Sequence, residues 1–349
     1  MITFWQQADG KLVRKEKDEL ASGMNTWVDA RSVTREDITF LEKEYTIEPD
    51  HILDILDPDE LSRIEAADYY TLTIVRLPVF VPSAEVCYFT VPLGIVLFQN
   101  VIITICWTDC EVLRDFSDNR IKELSLTDFP AFIIRILSRS DTTFLRYLKE
   151  INRRSTSIQN ELQLTVENNE IIQLLNLQKS LVLFTTSLKS NQLLLEKFRK
   201  TRLIKLDEDD KDWLDDVEID SRQALEMADT YSGILSRMIE AFTSIISNNM
   251  NAVMKKLTLI SVIMMVPTFI TSYYGMNIPL PLAQLGWTGT MVISMFCLVS
   301  SVATSFFLRD KKSPGKRKLF SAKNIRRRLN ERKLQKEFEA QEEKLEELS

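Results

Sequence analysis

LTLISVIMMVPTFITSYYGM (257–276) and GTMVISMFCLVSSVATSFFL (289–308) occupy the two ends of 52 consecutive residues, 257–308, that contain no Lys, Arg, Asp, Glu or His. A bilayer span needs about 20 apolar residues, and uninterrupted soluble core elements are rarely longer. The run therefore reads as two transmembrane helices joined by a short turn, NIPLPLAQLGWT (277–288). Lys255 and Lys256 precede the first span, Arg309, Lys311 and Lys312 follow the second, and the turn has no basic residue. The positive-inside bias then puts both ends of the hairpin in the cytoplasm and the turn outside. The expected location is a cell membrane, crossed twice, with the N- and C-termini cytoplasmic.

Outward from this hairpin, charge is distributed unevenly. The 349-residue chain has a formal net charge of −6, yet residues 311–336 hold twelve Lys or Arg against a single acid, Glu331. The remainder is strongly acidic, and most of it precedes the membrane. An acidic body beneath a bilayer gathers cations, while a basic segment after the second span favours anionic lipid headgroups. Membrane proximity accounts for that basic charge, so no nucleic-acid partner is expected. The opening MITFWQQADGKLVRKEKDEL has no apolar core of a signal peptide. Cys87, Cys106, Cys110 and Cys297 are irregularly spaced and read as reduced thiols rather than a zinc site. The single histidine, His51, has Asp50 and Asp54 nearby but no serine or cysteine motif, and no glycine-rich phosphate loop follows a predicted strand. An enzyme is not expected.

Four regions follow: a cytoplasmic α/β domain over 1–130, long cytoplasmic helices including the stem of the first span over 131–256, the hairpin over 257–308, and a basic then acidic cytoplasmic tail over 309–349. Within the first, YYTLTIVRLPVF (69–80) and LGIVLFQNVIITICWTD (93–109) are rich in β-branched and aromatic residues, and Gln99-Asn100 can turn a hairpin. REDITFLEKEY and DPDELSRIEAAD read as helices, the second with Asp57 as cap, Pro58 at the first helical position and Glu60 closing a capping box. From about residue 141, some sixty residues lack Gly and Pro, with Phe144, Leu148, Ile151 and Ile158 at helical spacing. The simplest reading is two long antiparallel helices joined by the acidic turn DEDDKD (207–212). The later helix runs straight into the first span, so a tilt made below the membrane would be carried into it. The fold class is thus an α+β cytoplasmic domain with long helices leading into a two-span α-helical membrane domain.

Along the helix that enters the membrane, Asn251, Met254, Thr258, Ser261, Met265, Thr268 and Ser272 recur at alternating steps of three and four. That is the heptad repeat of a seam facing a common axis. Apart from the two methionines, every member is polar and uncharged. Small residues and hydroxyls also let transmembrane helices pack closely, so the stripe by itself fits either an interface or a polar path. Two spans cannot enclose such a path alone, but several copies around a symmetry axis can. Weak, uncharged oxygen sites are what conduction requires. At the outer end, Gly275 allows close approach or an unusual backbone angle, and Asn277 offers an amide oxygen. Repeated around an axis, these make a collar of neutral oxygens suited to Mg2+, which dehydrates reluctantly.

YGMN (274–277), at the outer end of the first of two closely spaced C-terminal spans and after MMVPTFITS, resembles the signature of the CorA family of divalent-cation channels. KSLVLFTTSL (179–188) and SNNMNAVMKKLTLI (247–260) also look like family segments. The resemblance implies a funnel-shaped homopentamer whose first spans line the pore. It makes Gly275, Met276 and Asn277 the outer ion-recognition ring and puts Asn251, Met254, Leu257, Met265 and Thr268 on the pore. Met254 and Leu257 would form the apolar gate that dewets when closed. It further implies that cytoplasmic Mg2+ bound by carboxylates between protomers, Asp216 among them, closes the channel. DEDDKDWLDD (207–216) has seven acids in ten residues, open to reading as a solvated loop or as direct cation ligands. Unlike the family pattern, the turn after the signature carries no acid, and the tail is longer.

The leading expectation is gated uptake of Mg2+, with Co2+ and Ni2+ as further permeant ions, no cofactor, and Mg2+ as both transported and regulatory ion. The alternatives are a Zn2+ transporter, against which Met276 in the signature argues, and a non-conducting membrane scaffold.

Overall fold

The computed structural model describes residues 1–308 except 9, 22, 123, 165–167, 202, 204, 205 and 277–285. The chain divides into two units, Met1–Ile246 and Ser247–Ser349.

The first unit is built on a seven-stranded sheet: β1 (Ile2–Ala8), β2 (Lys11–Lys15), β3 (Thr26–Arg31), β4 (Arg63–Ala66), β5 (Thr71–Phe80), β6 (Tyr88–Leu97) and β7 (Val101–Cys106). The spatial order is β2-β1-β3-β7-β6-β5-β4. Only β3 and β7 run parallel; every other neighbouring pair is antiparallel. Because side chains alternate along a strand, one sheet face receives Ile103 and Ile105 while the other receives Ile102 and Cys106. The first face is covered by α1 (Arg35–Tyr45) and α2 (Pro49–Leu56), which contribute Leu41, Ile52 and Ile55. The second is covered by α3 (Glu111–Ser117) and parts of three longer helices, through Phe116, Phe132, Phe198 and Leu214. Both faces are apolar, which is why β5, β6 and β7 read as nearly continuous hydrophobic runs. Gly94 lets α2 seat: a Cβ there would lie 2.3 Å from Ile55 Cδ1.

The long helices are α4 (Phe129–Leu164), α5 (Asn168–Lys200) and α6 (Glu208–Tyr274). The sixty residues without Gly or Pro therefore hold parts of two helices, where one was expected. Phe144 meets Phe184 with ring centroids 5.0 Å apart, and Ile158 lines the same cavity as Leu177, so α4 and α5 pack antiparallel. Burial explains the change: folding back lets Leu148, Ile151 and Leu162 of α4 bury against Leu174, Leu181 and Leu188 of α5.

DPDELSRIEAAD is the second correction. Asp57 ends α2 instead of starting a helix; the Asp59 N–H donates to Asp57 Oδ1 at 3.0 Å, an Asx turn, and residues 63–66 become β4. An antiparallel ladder with β5, Arg63 opposite Ile74, outweighs the local capping signal. Arg63 meanwhile holds Asp54 at 2.6 Å and also pairs with Glu60. The hairpin at Gln99-Asn100 and the helix REDITFLEKEY form as read, the latter over Arg35–Tyr45 with Thr34 and Asp37 closing a capping box.

Beyond Ile74 the short β4 no longer pairs with β5. There the Asn191 side chain of α5 takes over: the Arg76 N–H donates to Asn191 Oδ1 at 3.0 Å, and Asn191 Nδ2 donates to the Arg76 carbonyl at 2.9 Å. One amide thus continues the ladder by a residue. The Arg76 guanidinium is satisfied by the Glu60 carbonyl at 2.8 Å and the hydroxyls of Thr90 and Ser187 at 2.7 and 3.3 Å.

The second unit contains the remainder of α6, from residue 247, and α7 (Trp287–Leu308). Pro267 stands inside α6, where it can donate no backbone hydrogen bond. The proposed external loop and the tail from 309 onward lie outside the described residues apart from Gly286 to Thr288, the end of the loop at the start of α7.

Candidate functional site

The seam read on the first span, Asn251, Met254, Thr258, Ser261, Met265, Thr268 and Ser272, lies on α6 in the second unit, as does Leu257, which the family resemblance adds to the pore. It is uncovered: Met254 and Leu257 are each 54% exposed and Met265 66%. Leu259, Ile263, Val266 and Ile270 are half-buried, and Ile270 lines one cavity with Val292, Ile293 and Phe296 of α7. The C-terminal end of α6 and the first turns of α7 flank this apolar cavity of about 290 Å³, lined also by Phe269, Tyr273 and Tyr274. The most hydrophobic 18-residue stretches of α6 and α7 are 0% and 11% buried, unlike the core helices of a soluble domain. So much exposed apolar surface requires lipid or further copies of the chain to cover it.

Three of the four hydroxyls of the seam share one geometry. Thr258 donates to the Met254 carbonyl at 2.9 Å, Ser261 to Leu257 at 3.0 Å and Thr268 to Met264 at 2.7 Å, each four residues back. A hydroxyl has one proton and two acceptor lone pairs. With the proton committed to its own helix, each oxygen is left as an acceptor. An acceptor suits the hydrogens of a cation's water shell. The stripe thus combines the bland arrangement, a back-bonded helix surface, with the chemistry of a weak polar path.

At its C-terminal end α6 stops at Tyr274. The Gly275 N–H is shared between the carbonyls of Thr271 at 2.9 Å and Ser272 at 3.2 Å, and the Met276 N–H donates to Tyr273 at 3.4 Å. Gly275 does not adopt a left-handed backbone; a Cβ there would lie 3.4 Å from the Thr271 oxygen and 3.5 Å from that of Ser272. Both distances are ordinary van der Waals contact, so neither an unusual angle nor a close approach within this chain calls for glycine here. Asn277 lies outside the described residues.

Asp216 belongs to the first unit, exposed on α6 and without an ion pair or hydrogen bond among the described residues. Its neighbour Asp215 pairs with Arg199, which also holds Glu218 at 2.8 Å. Asp207 and Asp210 have a structural task. The Asp210 N–H donates to Asp207 Oδ1 at 2.8 Å and the Asp207 N–H to Asp210 Oδ2 at 3.2 Å, a reciprocal cap on α6. Burial pushes the Asp210 carboxyl upward. Among the described residues no group of three or more His, Cys, Asp or Glu could hold a metal ion.

Sequence reading did not single out Asp141. It is 1% exposed on α4, its Oδ2 lacks a hydrogen bond among the described residues, and burial pushes its carboxyl well above the ordinary 3.8, with Asp220 of α6 acting in the same direction. The available signal was an acid at helical spacing between Leu137 and Phe144, on the buried face of the helix.

The sequence profile of the family described as CorA-like Mg2+ transporter protein matches residues 22–312. Over 314 residues the chain is 26% identical to the cobalt/magnesium transport protein CorA of Methanocaldococcus jannaschii, an alignment covering 86% of this chain and 96% of that protein. The complete structure of the CorA magnesium transporter from the same organism superimposes with a TM-score of 0.71 at 22% identity, covering 89% of this chain and 98% of the other. The full-length CmaX protein superimposes with a TM-score of 0.62 at 13% identity, over 87% and 97%. At these identities the two structures speak for the fold.

Proposed function

The chain belongs to the CorA-like Mg2+ transporter family, and from that premise we propose that it is a gated channel for Mg2+ uptake, with Co2+ and Ni2+ also permeant. The observation that carries this reading is the uncovered seam of α6, whose hydroxyl oxygens are left as acceptors by their bonds to Met254, Leu257 and Met264. Five copies would set these seams around one axis, with α7 outside against lipid. Thr268 and Asn251 would then meet the water shell of the ion, Met265 would pack between them, and Met254 with Leu257 would close the path by excluding water. Gly275, Met276 and Asn277 would form the outer collar. No fuel is required, since a divalent ion entering a negative interior gains about 4.6 kcal/mol per 100 mV.

Feedback is assigned to Asp216. Carboxylates meeting between copies repel one another when bare and are held together by Mg2+, so cytoplasmic Mg2+ would close the channel. Since α6 contains both Asp216 and the seam, loosening at the first would act on the second through one helix. The four-region division of the chain, 1–130, 131–256, 257–308 and 309–349, belongs to this proposal, as do cytoplasmic termini and anionic lipids beside the basic tail.

The test is flux into liposomes containing a Mg2+-sensitive dye, with Mg2+ on the cytoplasmic face varied. Uptake that falls as cytoplasmic Mg2+ rises is expected, and Asp216→Asn should weaken that inhibition. Thr268→Val, which removes a polar contact from each copy, should reduce flux by about tenfold, the equivalent of roughly 1.4 kcal/mol. Asn277→Ala should reduce it at least as much with assembly intact. Flux of Zn2+ without Mg2+ would support the zinc-transporter alternative, and no ion flux at all the scaffold.

A further inference from the structure

Away from α6, the connection between β5 and β6 and the facing turns of α4 and α5 enclose a cleft of about 380 Å³. That volume falls within the range of small-molecule pockets, about 300–1,000 Å³. Its floor is apolar, with Ile158 of α4 and Leu177 of α5 nearly buried at 7% and 8% exposure. Its rim carries two carboxylates from different elements, Glu85 of the connection and Glu161 of α4, and two amides of α5, Gln173 and Asn176. Among the described residues, none of these four side chains makes a hydrogen bond or an ion pair. Arg154 also lines the cleft, but its charge is answered within the fold. Its Nη2 lies 2.7 Å from Glu150, and its guanidinium lies 5.2 and 5.3 Å from the ring centres of Phe80 and Tyr88.

An apolar floor beneath a rim that carries two unpaired carboxylates has a specific complement. We propose that this cleft binds an aliphatic diamine or polyamine, with its ammonium ends at Glu85 and Glu161 and its methylenes along Ile158 and Leu177. The carbonyl oxygens of Gln173 and Asn176 accept hydrogen bonds from the amine N–H groups. A hydrated divalent ion would gain nothing from the floor, and an anion would meet a rim of net negative charge. None of these residues lies on α6, so the inference stands apart from ion conduction.

The test is calorimetric titration of spermidine into the full-length protein in neutral detergent at fixed ionic strength. Saturable binding, one spermidine per chain, is expected, with ethylammonium binding much more weakly because it spans neither carboxylate pair nor floor. Glu85→Gln and Glu161→Gln should each weaken binding by up to about fivefold, as expected for an exposed ion pair, and the double variant by tenfold or more. Both positions are exposed, and an unchanged melting temperature verifies the fold. Three results would overturn the proposal: spermidine binding unchanged in the double variant, ethylammonium binding as tightly as spermidine, or MgCl2 displacing spermidine more effectively than NaCl of equal ionic strength.

Discussion

Asp141 shows how much one side chain can weigh against the fold around it. With its carboxyl buried on α4 and Asp220 nearby, its folded-state pKa is raised above the ordinary 3.8. Below that value both folded and unfolded chains hold the proton, and the residue costs nothing. As pH rises past it, the unfolded chain releases its proton while the folded one keeps it, so stability declines toward neutrality. Asp141→Asn removes this liability with little change in volume. In the presence of a chelator, the variant should melt higher than the parent at pH 7.5, and the gain should shrink toward pH 4.5. A gain that grew on acidification would mean that the carboxyl is ionised in the folded protein. Thr268 is the opposite case, a side chain whose local bonding is ordinary and whose proposed importance comes from its place on the seam.

At the scale of elements, the junction between α5 and the sheet rests on Asn191. Two backbone groups of Arg76 depend on that amide, as does the Ser62 hydroxyl, which donates to Asn191 Oδ1 at 2.6 Å. Each buried polar group left unsatisfied costs about 1–3 kcal/mol. Asn191→Ala should therefore destabilise the first unit by about 3 kcal/mol, read as a lower melting temperature, and Asn191→Asp should be nearly as harmful because it loses the donor to the Arg76 carbonyl. Nothing in NQLLLEKF marks this asparagine, because its partner lies 115 residues away in sequence. The strands β5 to β7 and helix α1 were legible because hydrophobic patterning, a turn dipeptide and a cap coincide there. Residues 57–68 misled because a good local cap competed with a hairpin ladder to the following strand, β5. The break between α4 and α5 carries no Gly or Pro and is decided by which apolar faces can bury together. The periodicity of the proposed seam stands in the sequence since a repeat of three and four survives any uncertainty about the helix ends, whereas the free cleft under residues 81–87 joins side chains that no local pattern connects.

For the whole molecule, the uncovered apolar surface of α6 and α7 and the proposed axis make a definite demand on stoichiometry. Native mass spectrometry of the detergent-solubilised protein should give a single assembly of five chains. A cysteine at Thr268 should form disulfides between copies on mild oxidation, with Cys297→Ser in the background to remove a competing thiol in the second unit. A monomer, or a residue 268 that never cross-links, would remove the axis on which the conduction reading depends.

The sheet ends in β2 on one side, where Lys11, Arg14 and Lys15 crowd a five-residue strand, and in β4 on the other, only four residues long. Such margins are poor templates for strand addition. Newly made chains can thus be held at high local concentration on a membrane without zipping into fibrils through their β-structure, and productive association is left to helical surfaces.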